Sequence, residues 1–158
     1  MQLLFRTSGL LRNQALAMSE THQDDSVTST LEAAAEQYPL ASNYTRYIAA
    51  MIAGLDLLKV SLPPVADAAL READRYWHGD SAAAKLAESK VAIWKYIDGS
   101  ALSASTEAAC RAVLCVIEPQ PPTDDGYDLL TWYVSFMRDA GVNEQELLPL
   151  VRSHMSTV

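Results

Sequence analysis

Apolar positions recur every three or four residues along most of the chain, and nowhere do they alternate long enough to specify a strand. Ser29 with Glu32 three residues on forms a capping-box pattern, which opens a short helix that stops before Pro39. A second start lies at Ser42 or Asn43. From there Tyr44, Tyr47, Ile48, Met51, Ile52 and Leu55 follow helical spacing. That helix is apolar nearly all round until Asp56 and Lys59, so the pattern sends it through the interior. Pro63 and Pro64 close the connection, and Pro64 suits the first turn of the next helix.

The next two helices carry the densest signals. Ala66, Ala69, Leu70, Ala73 and Trp77 share one face, with Asp67 and Arg71 paired four apart on another. Gly79 reads as a left-handed stop, and Asp80 or Ser81 as the cap of the following helix. There Ala83, Leu86, Ala87, Val91, Trp94 and Ile97 define the face expected to pack inward, until Gly99 ends it. The short connection makes the pair a hairpin. "ASTEAACRAVLCVIEP" holds Arg111 as its one charge between Glu107 and Glu118, as a central helix would. "EPQPPTDDG" is a loop, after which Thr123 is a candidate cap with Asp124 and Asp125 in a first turn. Leu129, Tyr133, Phe136, Met137 and Ala140 form the stripe of that helix, and Gly141 ends it. Asn143 with Glu146 starts a last helix, which Pro149 should kink or split. The expected fold is all-α: a single compact bundle of six to seven helices over residues 29–158.

Residues 1–28 read as a flexible N-terminal extension. Ala15-Leu16-Ala17 has the form of a signal-peptidase site, but Arg6 and Arg12 break the apolar run such a signal needs, and Met18 is a candidate functional start. No stretch approaches the length of an uncharged membrane span, so no transmembrane helix is expected. The apolar fraction of 49% supports a packed core rather than a disordered chain. The net charge of -8 repels phosphate backbones and anionic headgroups, which argues against nucleic-acid or membrane binding and leaves room for a basic protein partner. Cys110 and Cys115 point about 140° apart on one helix, so two buried free thiols in a reducing, cytoplasmic setting are expected.

Candidate chemistry is sparse. No Glu is followed three residues later by His, which removes the di-iron bundle pattern, and no Gly-rich phosphate loop is present. Asp74 and His78 share a helix face with Asp80 nearby, a potential pair of metal ligands lacking a second pair. His22 and His154 lie near the two ends of the chain, which leaves His78 as the one well-placed imidazole. No cofactor is expected. The aromatics form three close pairs, of which Trp77, Trp94 and Tyr133 fall on core positions and Tyr76, Tyr96 and Trp132 on boundary positions. With Asp74, His78, Asp80, Asp98, Asp124 and Asp125 around them, the boundary members form a candidate acidic, aromatic face for a partner.

The run "AALREADRYWHGDSAAAKLAESKVAIWKYID", Ala68 to Asp98, resembles a layout seen in predicted helical immunity proteins of bacterial polymorphic-toxin systems, where an "A..A..W..G" helix end precedes a second Ala-rich helix. The resemblance implies a small cytoplasmic binding protein that neutralises a cognate toxin by covering its active site or substrate-binding surface. Two other readings stay open: a small helical enzyme using His78 with nearby carboxylates, and a homo-oligomeric structural protein closing its aromatic face on a second copy as a homodimer.

Overall fold

The computed structural model describes residues 26–121 and 127–156. These residues form an all-α bundle of seven helices. In chain order they are α1 (Val27–Gln37), α2 (Leu40–Leu55), α3 (Pro64–Trp77), α4 (Ala83–Gly99), α5 (Ala104–Leu114), α6 (Tyr127–Asp139) and α7 (Glu144–Met155), with a 3-10 turn at Asp56–Leu58. The most extensive pairings are α3 with α4, α2 with α7, and α5 with α6, while α1 lies over α6 and α7. No helix among the described residues is long and apolar enough to cross a membrane.

Several helix ends fall where local chemistry predicts. Pro64 occupies the first turn of α3. Gly79 (φ +85°) ends that helix: its N–H donates to the Tyr76 carbonyl at 3.0 Å and the Asp80 N–H to the Arg75 carbonyl at 2.8 Å. Gly141 (φ +91°) repeats the motif after α6, with Val142 N–H reaching Met137 at 3.0 Å. Asn143 caps α7 by accepting the Gln145 N–H at 2.9 Å.

Other ends differ from expectation. α1 starts three residues early because Ser26, not Ser29, is the cap. Ser26 Oγ accepts from Ser29 N–H at 3.0 Å, and Ser29 Oγ accepts from Ser26 N–H at 3.2 Å. The Val27 N–H is held by Glu144 Oε1 at 2.9 Å, a tertiary bond that local pattern cannot show. The start signal at Asn43 marks a break inside α2 (φ -127°, ψ 23°), where its side-chain amide donates to the Pro39 carbonyl at 3.0 Å. Neither Asp80 nor Ser81 caps α4: Ala82 holds that position, and the Ser81 hydroxyl is given to the Glu72 carboxylate. α7 is unbroken across Pro149, since Leu147 and Val151 are buried on either side and their packing outweighs the missing backbone bond. Thr123, Asp124 and Asp125 lie outside the described residues, as does the extension up to residue 25.

The core runs through every helix. α5 buries Ala108, Ala109, Cys110, Ala112 and Val113 and turns Arg111 and Leu114 to a half-buried face, so it is not enclosed on all sides as its composition predicts. Small residues set the spacing elsewhere. A Cβ on Gly54 of α2 would stand 2.2 Å from the Tyr133 hydroxyl oxygen and 2.6 Å from Leu147 Cδ1, so only glycine lets α6 and α7 approach this closely. Tyrosine hydroxyls inside the bundle end on backbone carbonyls: Tyr47 on Tyr38 at 2.7 Å, Tyr133 on Met51 at 2.9 Å and Tyr44 on Glu118 at 3.1 Å. Arg46 closes the far end of α7, with its Nε on the His154 carbonyl at 2.9 Å, its Nη2 on the Met155 carbonyl, and its guanidinium 4.5 Å from the Tyr38 ring centre.

The inward face of α4 is the largest departure. Leu86 and Ile93 are fully buried, while Val91 is 51% and Trp94 37% exposed. The helix offers two apolar rows about a third of a turn apart. The Leu86–Ile93 row packs inward and the Ala87–Val91–Trp94 row faces out. Periodicity merged the two into one stripe because both are apolar.

Candidate functional site

The outward row of α4 borders a cavity of about 580 Å³ between α4, α5 and α6. Trp94 of α4, Arg111 and Leu114 of α5, and Leu129, Trp132 and Phe136 of α6 line it, joined by Cys115, Glu118, Gln120 and Pro121 from the chain after α5. The volume is that of a typical small-ligand or side-chain-binding cleft. Trp132 stands 57% exposed at its edge.

Two charges enter this apolar setting, and each is held by a partner. The Arg111 guanidinium lies 5.4 Å from the Trp94 ring centre, a cation–π arrangement. Its Nε and Nη2 donate to Glu107 Oε1 at 2.9 and 2.8 Å. Glu118 takes the Lys90 ammonium. The chain after α5 is fixed from behind, because the Trp77 indole N–H donates to the Val116 carbonyl at 3.0 Å and the Tyr44 hydroxyl to that of Glu118. This wall is therefore positioned by the buried side of the bundle.

The thiols are in a setting that keeps them protonated. Burial pushes Cys115 up to about 12, and its S–H donates to the Arg111 carbonyl at 3.5 Å. Burial, with the Glu107 carboxylate adding to it, also raises Cys110. A thiolate nucleophile at neutral pH needs the opposite, an electropositive and partly exposed site.

The residues singled out from sequence fall into separate places. Asp74 and His78 meet at the exposed end of α3, with Nδ1 3.4 Å from Asp74 Oδ1 and 2.8 Å from the Asp74 carbonyl. Asp80 is exposed just beyond, its carbonyl accepting from Arg75 Nη2 at 3.2 Å. Tyr76 is half-buried edge-on to Trp77, with ring centres 5.0 Å apart. Tyr96 is half-buried against the core and Asp98 is exposed at the end of α4. Trp132 alone of the described candidates lines the cavity, and Asp124 and Asp125 lie outside the described residues. Among the described residues no three His, Cys, Asp or Glu side chains gather where they could hold a metal ion.

Within the Trp94–Tyr96 pair the expected roles are exchanged, since Trp94, placed in the core by its spacing, is the exposed member. Arg111 and Leu114 join the site only through the fold, which brings α5 between α4 and α6. The available signal was the single arginine in an otherwise apolar helix, a charge that must reach a surface or a partner. Comparison of the chain with protein-family models, with curated proteins and with solved structures gives no match.

Proposed function

We propose that the chain is a non-catalytic protein-binding module, and that it acts as a cytoplasmic bacterial immunity protein covering a cognate toxin with an acidic, aromatic surface. The cleft between Trp94 and Trp132 is the centre of that surface. The observation that carries the reading is the exposure of two of the three tryptophans on the walls of one cavity. Indole is costly to leave in water and is the side chain most enriched where partners bind. Asp98, one turn beyond Trp94, and Trp132 itself belong to the candidate face named from sequence. The Asp74–His78–Asp80 group forms a separate polar patch at the end of α3.

Affinity capture from the native host tests this, using the wild-type chain beside Trp94→Ala and Trp132→Ala. A single stoichiometric partner that is lost from both variants, while their thermal melts match wild type, is the expected result. A partner retained by both variants overturns the assignment of the cleft.

A further inference from the structure

We infer that the cleft seats a basic amphipathic helix of the protein partner, an inference that rests on the cleft being the binding surface. Shape is the first argument. The outward row Ala87–Val91–Trp94 spans eight residues, about 10 Å of helix axis, and Ala87 and Val91 lie beyond the cavity lining. A small molecule filling the cavity leaves Val91 in water. A helix, roughly 10–12 Å across and presenting apolar residues at i, i+3, i+4 and i+7, covers this row and Trp132 together.

Charge is the second argument, and it selects the partner's sign. Arg111 and Lys90 are engaged by Glu107 and Glu118. Asp98 and Asp128 are exposed, one turn after Trp94 and one turn before Trp132, and neither has an ion-pair partner among the described residues. Lys95, beside Trp94, is likewise exposed and without an ion-pair partner among the described residues, so the uncompensated charge within a turn of the two indoles is two acids against one base, net negative, in a chain of net charge -8. Lysines and arginines flanking the apolar face of an incoming helix meet these carboxylates. A second copy of the chain would bring acid against acid, so self-association through this face is disfavoured.

Titration calorimetry of the full-length chain tests the inference with three synthetic peptides of about four helical turns. The first has leucines on one face and lysines on the other, the second replaces lysine by glutamate, and the third keeps the lysines with serine in place of leucine. The leucine–lysine helix should bind and the other two should not. Trp132→Ala should weaken it by about tenfold or more, and Asp98→Asn with Asp128→Asn should weaken it and flatten its salt dependence. Equal binding of the glutamate or serine peptide, or no effect of Trp132→Ala, overturns the inference. So does a peptide of residues 1–17 that binds more tightly than the leucine–lysine helix, which assigns the cleft to the chain's own leader. A captured partner that depends on Trp94 and Trp132, with no binding of the leucine–lysine helix, removes the helix and leaves the cleft. Capture that ignores both tryptophans removes the cleft itself.

Discussion

Tyr133 of α6 donates its hydroxyl to the carbonyl of Met51 at 2.9 Å, tying two helices 82 positions apart in sequence. The Met51 carbonyl belongs to the helical ladder of α2, so it keeps a backbone partner if the phenol is removed. Tyr133→Phe should therefore cost only about 0.5–1.5 kcal/mol, the net value of one neutral hydrogen bond. Urea unfolding checks this. A loss of several kcal/mol shows that the hydroxyl holds more than this one bond.

The same contact makes position 54 intolerant. Gly54→Ala drives a methyl into the Tyr133 hydroxyl and Leu147, and a destabilisation of about 1–3 kcal/mol is expected from overpacking. Gly99, the last residue of α4, has open space around its Cβ position, and Gly99→Ala should be neutral or stabilise by up to about 1 kcal/mol. Paired thermal melts separate the two, and equal shifts would show that the fit around Gly54 does not matter.

Arg46→Met keeps the aliphatic stem and removes the donors to the His154 and Met155 carbonyls at the end of α7. Hydrogen exchange should accelerate in the last turn of α7 and leave the first turn unchanged. Arg46→Lys should restore the protection only in part, since an ammonium lacks the planar fork that spans two carbonyls while lying on the Tyr38 ring. Full protection in Arg46→Met would mean the packing of Val151 and Met155 suffices.

Alkaline pH should unfold the bundle earlier than neutral pH suggests. Burial raises Cys115 from 9.0 to about 12, and raises Cys110, Tyr44, Tyr47 and Tyr133 above their ordinary values. In each case the unfolded chain gives up a proton that the folded one keeps. Stability is then fully present below about pH 9 and falls as pH rises from 9 toward 12 and beyond. Urea midpoints at pH 8, 10 and 11 should decline, and Cys115→Ala should reduce the slope. A constant midpoint from pH 8 to 11 contradicts this account.

The sequence made the helices legible and left their tilt about their own axes partly hidden. Gly79, Gly141, Pro64 and Asn143 mark ends because each acts through bonds or torsions within a few residues. Ser29 misled because its hydroxyl can serve equally as a cap or, as here, as the third helical residue answering Ser26. Pro149 misled because the cost of a lost local bond is set against burial of Leu147 and Val151, which only the assembled fold reveals. The cleft was half visible for a similar reason. Trp132 follows the boundary row of an ordinary amphipathic helix and reads correctly as outward. Trp94 sits on a helix with two apolar rows, and which row turns inward is decided by α3 and α5, not by the helix itself.

That division of the indoles also gives the molecule its own optical reporters. Trp77 is half-buried, with its N–H bonded to a carbonyl and Tyr44 and Tyr76 edge-on to its ring, so its emission should be blue-shifted and shielded from iodide. Trp94 and Trp132 face water, and Trp94 also carries a guanidinium on its ring. Their emission should be red-shifted and accessible to the quencher. Selective loss of iodide quenching then follows occupation of the cleft in the unlabelled protein, with Trp77 as an internal reference that should not change.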